Sequence, residues 1–176
     1  MEFISKSIDD TQKCAKILAS LCGGGELICL IGDLGAGKTA FTQGFAQALE
    51  IKRPVTSPTF VLMQEHQGKT LAGKKVTLYH MDAYRIGSNQ EAWDMGLSEL
   101  WERDDAIMII EWADRIAGIL PDDRIDIYMT HGKDSTRKWK VEGFGEHHQD
   151  IVKRLPRELA IIDILIKSSK ELIHGK

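Results

Sequence analysis

Hydrophobic residues recur along this chain with two periods, and the switches between them mark out its elements. Two short apolar runs, Leu27-Ile28-Cys29-Leu30-Ile31 and Ala106-Ile107-Met108-Ile109-Ile110, are rich in β-branched residues and predict strands buried on both faces. Helical spacing predicts helices from Ser7 or Asp9 to Leu21, from Thr39 to Glu50 and from Ser88 to Arg103, with a short one from Trp112 to Leu120 stopped by Pro121. Asp9 with Gln12, and Ser88 with Glu91, have capping-box spacing, and Gly23-Gly24-Gly25 closes the first helix. Residues 2–6 suit a short strand. Phe60 to His66 and Lys75 to Met81, joined by the polar stretch Gln67 to Lys74, predict an antiparallel hairpin. Arg124 to Thr130 and Arg137 to Val141 alternate apolar and polar residues and predict a strand pair near one edge. Arg53-Pro54 and Ser57-Pro58 mark a non-helical connector, and Pro156 is expected to break the chain before an apolar-rich helix from Arg157 to Ile173.

Between the first apolar strand and the helix after it lies Gly32-Asp33-Leu34-Gly35-Ala36-Gly37-Lys38-Thr39, which fits the phosphate-loop pattern G-x-x-x-x-G-K-[ST]. Strand, glycine-rich turn and helix make a cradle for polyphosphate. Backbone N–H groups point inward, the helix N-terminus adds partial positive charge, and Gly35 and Gly37 are expected in conformations closed to a Cβ. Lys38 suits the β- and γ-phosphates as a mobile point charge, and the Thr39 hydroxyl suits Mg²⁺. The fold expected is therefore α/β, a P-loop NTPase-like three-layer sandwich with a mostly parallel central sheet and an antiparallel hairpin insertion. No repeat or linker divides the chain, so one domain is expected over residues 1–176, with 157–176 adding a C-terminal helix.

Bulk properties narrow the partners. The net charge is −3, so there is no basic footprint of a chain that grips nucleic acid by itself. Cys14, Cys22 and Cys29 form no C-x-x-C pair, which argues for buried thiols in a reducing compartment. No apolar run approaches the roughly 20 residues that span a bilayer. A cytoplasmic protein without a membrane partner is expected. His147-His148 has no sensibly spaced third ligand and reads as a solvated turn, and Trp93, Trp101 and Trp139 read as packing residues.

A phosphate loop needs a second carboxylate at the end of another apolar strand, and Glu111 follows Ile107 to Ile110 there. Its structural alternative is a cap on the next helix. Asp82 ends the Val76 to Met81 strand inside His80-Met81-Asp82-Ala83-Tyr84-Arg85, and Ser57-Pro58-Thr59-Phe60 has the makings of a segment that senses the γ-phosphate.

Taken in order, the phosphate loop, Ser57-Pro58-Thr59-Phe60, His80-Met81-Asp82-Ala83-Tyr84-Arg85 and Ile110-Glu111-Trp112 resemble the bacterial TsaE family, small P-loop ATPases of tRNA threonylcarbamoyladenosine biosynthesis. The resemblance covers roughly residues 9–140 in order and spacing. It implies ATP and Mg²⁺ as ligands and a heterodimer of the TsaD and TsaB proteins as partner. TsaD carries out the transfer to adenosine 37 of tRNA, so tRNA is met only through the complex, and ATP hydrolysis resets the assembly. The chain alone is expected as a monomer or weak oligomer. The carry-over places nucleotide contacts at Thr11, Asp33, Leu34, Gly35, Ala36, Gly37, Lys38, Thr39 and Ala40, metal ligation at Thr39 and Glu111, and catalytic roles at Lys38, Asp82 and Glu111.

Two departures stand out. Ala40 replaces a second threonine usual in the family, which removes a hydroxyl contact, and the tail from about Arg157 exceeds the usual family length. Two other readings compete. A small-molecule P-loop kinase would need an arginine-bearing lid, and no arginine-rich segment is evident, with Arg85, Arg103 and Arg115 only scattered candidates; a GTP-driven switch would need an N-K-x-D-type motif, which the chain lacks.

Overall fold

The computed structural model describes residues 1–58, 60–133 and 136–174, with side chains as far as Ile161. Thr59, in the connector singled out above, lies outside the described residues. Strands β1 (Glu2–Ser5), β2 (Leu27–Gly32), β3 (Met63–Lys69), β4 (Lys75–Asp82), β5 (Ala106–Glu111), β6 (Arg124–His131) and β7 (Arg137–Phe144) join one sheet in the order β1-β7-β6-β2-β5-β4-β3. The central β6-β2-β5-β4 block is parallel, while β1–β7, β7–β6 and β4–β3 pair antiparallel.

Strand parity decides what each face of the sheet does. Ile28, Leu30, Leu78, Ile107, Ile109 and Ile127 point to one side and pack with helices α1 (Ile8–Leu21), α2 (Lys38–Ala48) and α5 (Glu146–His174). Leu27, Cys29, Met81, Met108 and Ile110 point to the other, under the short helices α3 (Asn89–Asp94) and α4 (Leu97–Trp101) and the 3-10 turns. Three layers result, as expected. Cys22 and Cys29 are buried and unoxidised, and burial pushes both thiols up. Among the described residues no helix is long and apolar enough to cross a membrane.

Several expected boundaries move, each for a local reason. Of the two starts expected for α1 the chain uses Ser7, and the Asp9–Gln12 capping box does not form: the Ser7 hydroxyl accepts from the Asp10 N–H while Asp10 accepts from the Lys6 N–H. Ser88 caps α3 as expected, but the helix stops at Met95, because Gly96 turns left-handed at φ +74° and α4 starts afresh. The hairpin pairs Met63–Lys69 with Lys75–Asp82, later than the apolar cue suggested, since Phe60 and Val61 lie in an exposed turn and the edge strand is polar. The stretch after β5 forms a 3-10 turn, Ala113–Ile119, with a non-helical kink at Ile116.

Pro156 does not break the chain. It sits inside α5, where burial of Ile151 and Leu155 against the sheet outweighs the backbone hydrogen bond that proline removes. His147 and His148 belong to the first turn of this helix rather than a solvated loop. His148 is buried with its Nδ1 on the Asp123 carboxylate, and His147 reaches Glu26 at 3.3 Å. Among the described residues no cluster of three or more His, Cys, Asp or Glu could hold a metal ion. Trp139 is fully buried against Phe3 and Phe41, whereas Trp93 is half-exposed.

Candidate active site

The carboxyl ends of β2, β4 and β5 open into one cavity of about 600 Å³. Parity puts the chemistry on a single face. Ile107 and Ile109 pack toward α2, so Glu111 emerges on that side; Leu78 does likewise, so His80 and Asp82 follow. The parallel register of β4 and β5 then sets Asp82 directly beside Glu111.

The loop leaving β2 supplies the facing wall. Gly35 at φ +78° and Gly37 at φ +107° hold the left-handed conformations expected of them. A Cβ on Gly37 would lie 3.3 Å from Arg137 Cδ and 3.8 Å from Thr11 Cγ2, so α1 and β7 close on the loop at this point. Lys38 is almost fully buried, and its Nζ donates to the carbonyls of Gly32 at 2.6 Å and Asp33 at 2.8 Å while lying 3.7 Å from the Trp112 ring centroid. Burial lowers the Lys38 pKa, an effect opposed by the carboxylates of Glu111, Asp82, Asp114 and Asp33.

Thr39 and Glu111, far apart in the chain, meet across the cavity: the hydroxyl donates to Glu111 Oε2 at 3.1 Å. These are two hard oxygen donors beside the phosphate loop. Mg²⁺ takes few protein ligands and fills its octahedron with water and phosphate oxygens, so the pair suits it. Asp82 is fixed on both oxygens, accepting the Ser57 hydroxyl on Oδ2 at 3.0 Å and the Tyr84 N–H on Oδ1 at 2.9 Å. Trp112 holds φ +59°, a left-handed conformation unusual for a bulky residue, and packs tilted against Tyr84 with ring centroids 5.0 Å apart.

Lys38, Asp82, Glu111, Thr11, Leu34, Gly35, Gly37, Thr39 and Ala40 all line this cavity. Two of the expected contacts do not line it: Asp33 is exposed and Ala36 is buried. Thr11 is buried and shares a 2.7 Å hydrogen bond with Ser5. Of the candidate lid arginines none lines the cavity: Arg103 pairs with Asp105, Arg85 lies over Phe60, and Arg115 over Tyr84.

Sequence reading missed Ile8, Tyr84 and Arg137 as wall residues, and gave His80 no role. Nothing local to Arg137 signals the loop it meets. His80 did carry a signal: it precedes Asp82 by two residues and so shares its face of the strand.

Comparison with known proteins identifies the family. The family model "Threonylcarbamoyl adenosine biosynthesis protein TsaE" matches residues 5–139. The tRNA threonylcarbamoyladenosine biosynthesis protein TsaE of Bacillus subtilis is 36% identical over 149 residues, covering 85% of this chain and 89% of that protein. The protein of the same name from Treponema pallidum is 35% identical over 141 residues, covering 80% of this chain and 99% of its own length. The crystal structure of Bacillus subtilis YdiB superposes with a TM-score of 0.75 at 30% identity, covering 89% of this chain and 94% of that one. With the matched span holding the phosphate loop, Asp82 and Glu111 alike, the chain belongs to the TsaE family of threonylcarbamoyladenosine biosynthesis proteins.

Proposed function

We propose that this chain is an Mg²⁺-dependent ATPase of tRNA N6-threonylcarbamoyladenosine biosynthesis, acting in the cytoplasm with a TsaD–TsaB heterodimer and meeting tRNA only through that complex. One observation carries the ATPase reading: the phosphate loop faces two carboxylates across the cavity, with Thr39 already hydrogen-bonded to Glu111. The loop would hold the phosphate chain, with Asp82, Glu111 and Trp112 meeting its γ end. Ile8, Thr11 and Arg137 would then meet the nucleoside.

In this arrangement Lys38 gives up its carbonyl acceptors for the β- and γ-phosphates. Thr39 and Glu111 would hold Mg²⁺, and the ion would supply positive charge against the phosphate oxygens. Asp82, held by Ser57 and the Tyr84 N–H, orients the attacking water; the water oxygen bonds to the γ-phosphorus as the bond to ADP breaks, and the water's proton passes to a phosphate oxygen.

The cavity is open, and side chains on its wall are apolar and exposed, 57% for Ile8, 85% for Leu34 and 51% for Tyr84. Alone, such a site admits water freely and hydrolyses slowly; a partner protein seated on it completes the enclosure. The test is phosphate release and multiple-turnover tRNA modification with TsaD and TsaB. Stimulation by the heterodimer without any phosphate acceptor, and loss of sustained turnover in Lys38→Ala, are expected. Turnover by Lys38→Ala equal to wild type would sink the proposal, and phosphate transfer to a small acceptor would favour a kinase.

A further inference from the structure

The buried imidazole of His80 lies behind Glu111. It is fully inaccessible to solvent, and its Nε2 lies 2.8 Å from Glu111 Oε1. Glu111 is itself only 3% exposed, and its other oxygen, Oε2, receives the Thr39 hydroxyl. A carboxylate can only accept, so the imidazole proton must be on Nε2. On the far side of the ring, Nδ1 has no hydrogen-bond partner. A wholly buried ring with one nitrogen unmatched is a costly choice for a core position, where an apolar side chain would fill the space without it. Its one hydrogen bond goes to the carboxylate that faces the phosphate loop.

We infer that His80 is a positioning residue for the metal site: it occupies Oε1 of Glu111, fixes the rotation of the carboxyl group, and so presents Oε2 to the cation beside Thr39. The inference rests on the ATPase reading above. Donors behind a ligating carboxylate commonly fix ligand orientation in metal sites, and removing one lowers metal affinity roughly 10–100-fold. The same strand carries both supports, because His80 and Asp82 are two residues apart on one face. β4 therefore sets Glu111 from behind and Asp82 from beside.

The test compares two amides at this position. In His80→Gln the side-chain NH₂ falls near the place of Nε2 and still reaches Glu111; in His80→Asn it stops short. Binding of a non-hydrolysable ATP analogue is measured by calorimetry with and without Mg²⁺, alongside thermal unfolding. His80→Asn should weaken the Mg²⁺-dependent part of binding by roughly 10–100-fold and leave Mg²⁺-free binding unchanged, with His80→Gln recovering most of the loss. Equal behaviour of the two variants, or an equal loss with and without Mg²⁺, would overturn the positioning role. If the wild-type chain bound the analogue with no Mg²⁺ dependence, the ATPase reading itself would fall and this inference with it. Normal dependence in wild type and in His80→Asn together would remove His80 alone.

Discussion

Lys38→Met isolates the charge at the centre of the phosphate loop. Methionine keeps an unbranched stem against Trp112 but removes the ammonium that donates to Gly32 and Asp33 at 2.6 and 2.8 Å. In the proposed function those donors turn to phosphate, and each charge-assisted hydrogen bond contributes about 1.5–3 kcal/mol. Coulomb attraction between unit charges about 3 Å apart at an effective dielectric near 20 is roughly 5 kcal/mol. Two costs reduce that figure: the ammonium leaves its carbonyl acceptors, and the nearby carboxylates of Glu111, Asp82, Asp114 and Asp33 already attract it. A net loss of about 3 kcal/mol remains, which weakens ATP binding roughly 150-fold. Calorimetry or competition against a fluorescent ATP analogue measures it, with thermal unfolding as the control for folding. An affinity within about threefold of wild type, a difference below 1 kcal/mol, would refute the placement of Lys38 on the phosphates.

Other consequences follow from single distances and charges. Glu111→Ala should weaken Mg²⁺-dependent ATP binding at least as much as His80→Asn and reduce single-turnover hydrolysis further still at saturating ATP; equal hydrolysis by mutant and wild type would defeat its assignment. Gly32→Ala would bring a Cβ within 2.1 Å of the Met129 carbonyl at φ +150°, prising β2 from β6. It should cost about 3 kcal/mol or more in urea unfolding, whereas Gly23→Ala, with nothing within 4 Å, should stay within about 0.5 kcal/mol. Burial, aided by His80 and Arg53, holds the His66 imidazole below its usual pKa. The unfolded chain therefore binds this proton more tightly: the stability contribution is full above about pH 6.5 and is lost as pH falls through the lower folded value. His66→Gln should flatten part of the fall in Tm on acidification, and an unchanged slope would remove His66 as its source.

How much of this could be read from the chain follows the range of the forces involved. β2 and β5 were plain because a parallel strand buried on both faces is apolar at nearly every position, as Leu27–Ile31 and Ala106–Ile110 are. The loop between β2 and α2 was equally plain, since Gly35 and Gly37 encode backbone conformation locally. β3 was misplaced because an edge strand shows a polar face and needs no apolar run; Gln67, Gly68 and Lys69 pair with β4 all the same. The break expected at Pro156 failed for the opposite reason. The roughly 3 kcal/mol that an interior proline costs is offset by the burial of Ile151 and Leu155.

The same division runs through the cavity itself. Lys38, Thr39, Asp82 and Glu111 were legible because each lies within a residue or two of a strand end or helix start, where parity and loop chemistry determine direction. Ile8, Thr11 and Arg137 reach the cavity through tertiary placement: α1 and β7 approach closely enough that a Cβ on Gly37 would touch both Thr11 and Arg137. In the proposed orientation these residues meet the nucleoside. A phosphate loop therefore announces a polyphosphate in its own sequence, while the choice of base depends on residues that only the assembled fold brings to it. Discrimination between ATP and GTP should accordingly respond to Arg137→Ala more than to Ala40→Thr, a change in the helix start that meets phosphate rather than base; the reverse order in paired binding measurements would place the nucleoside elsewhere.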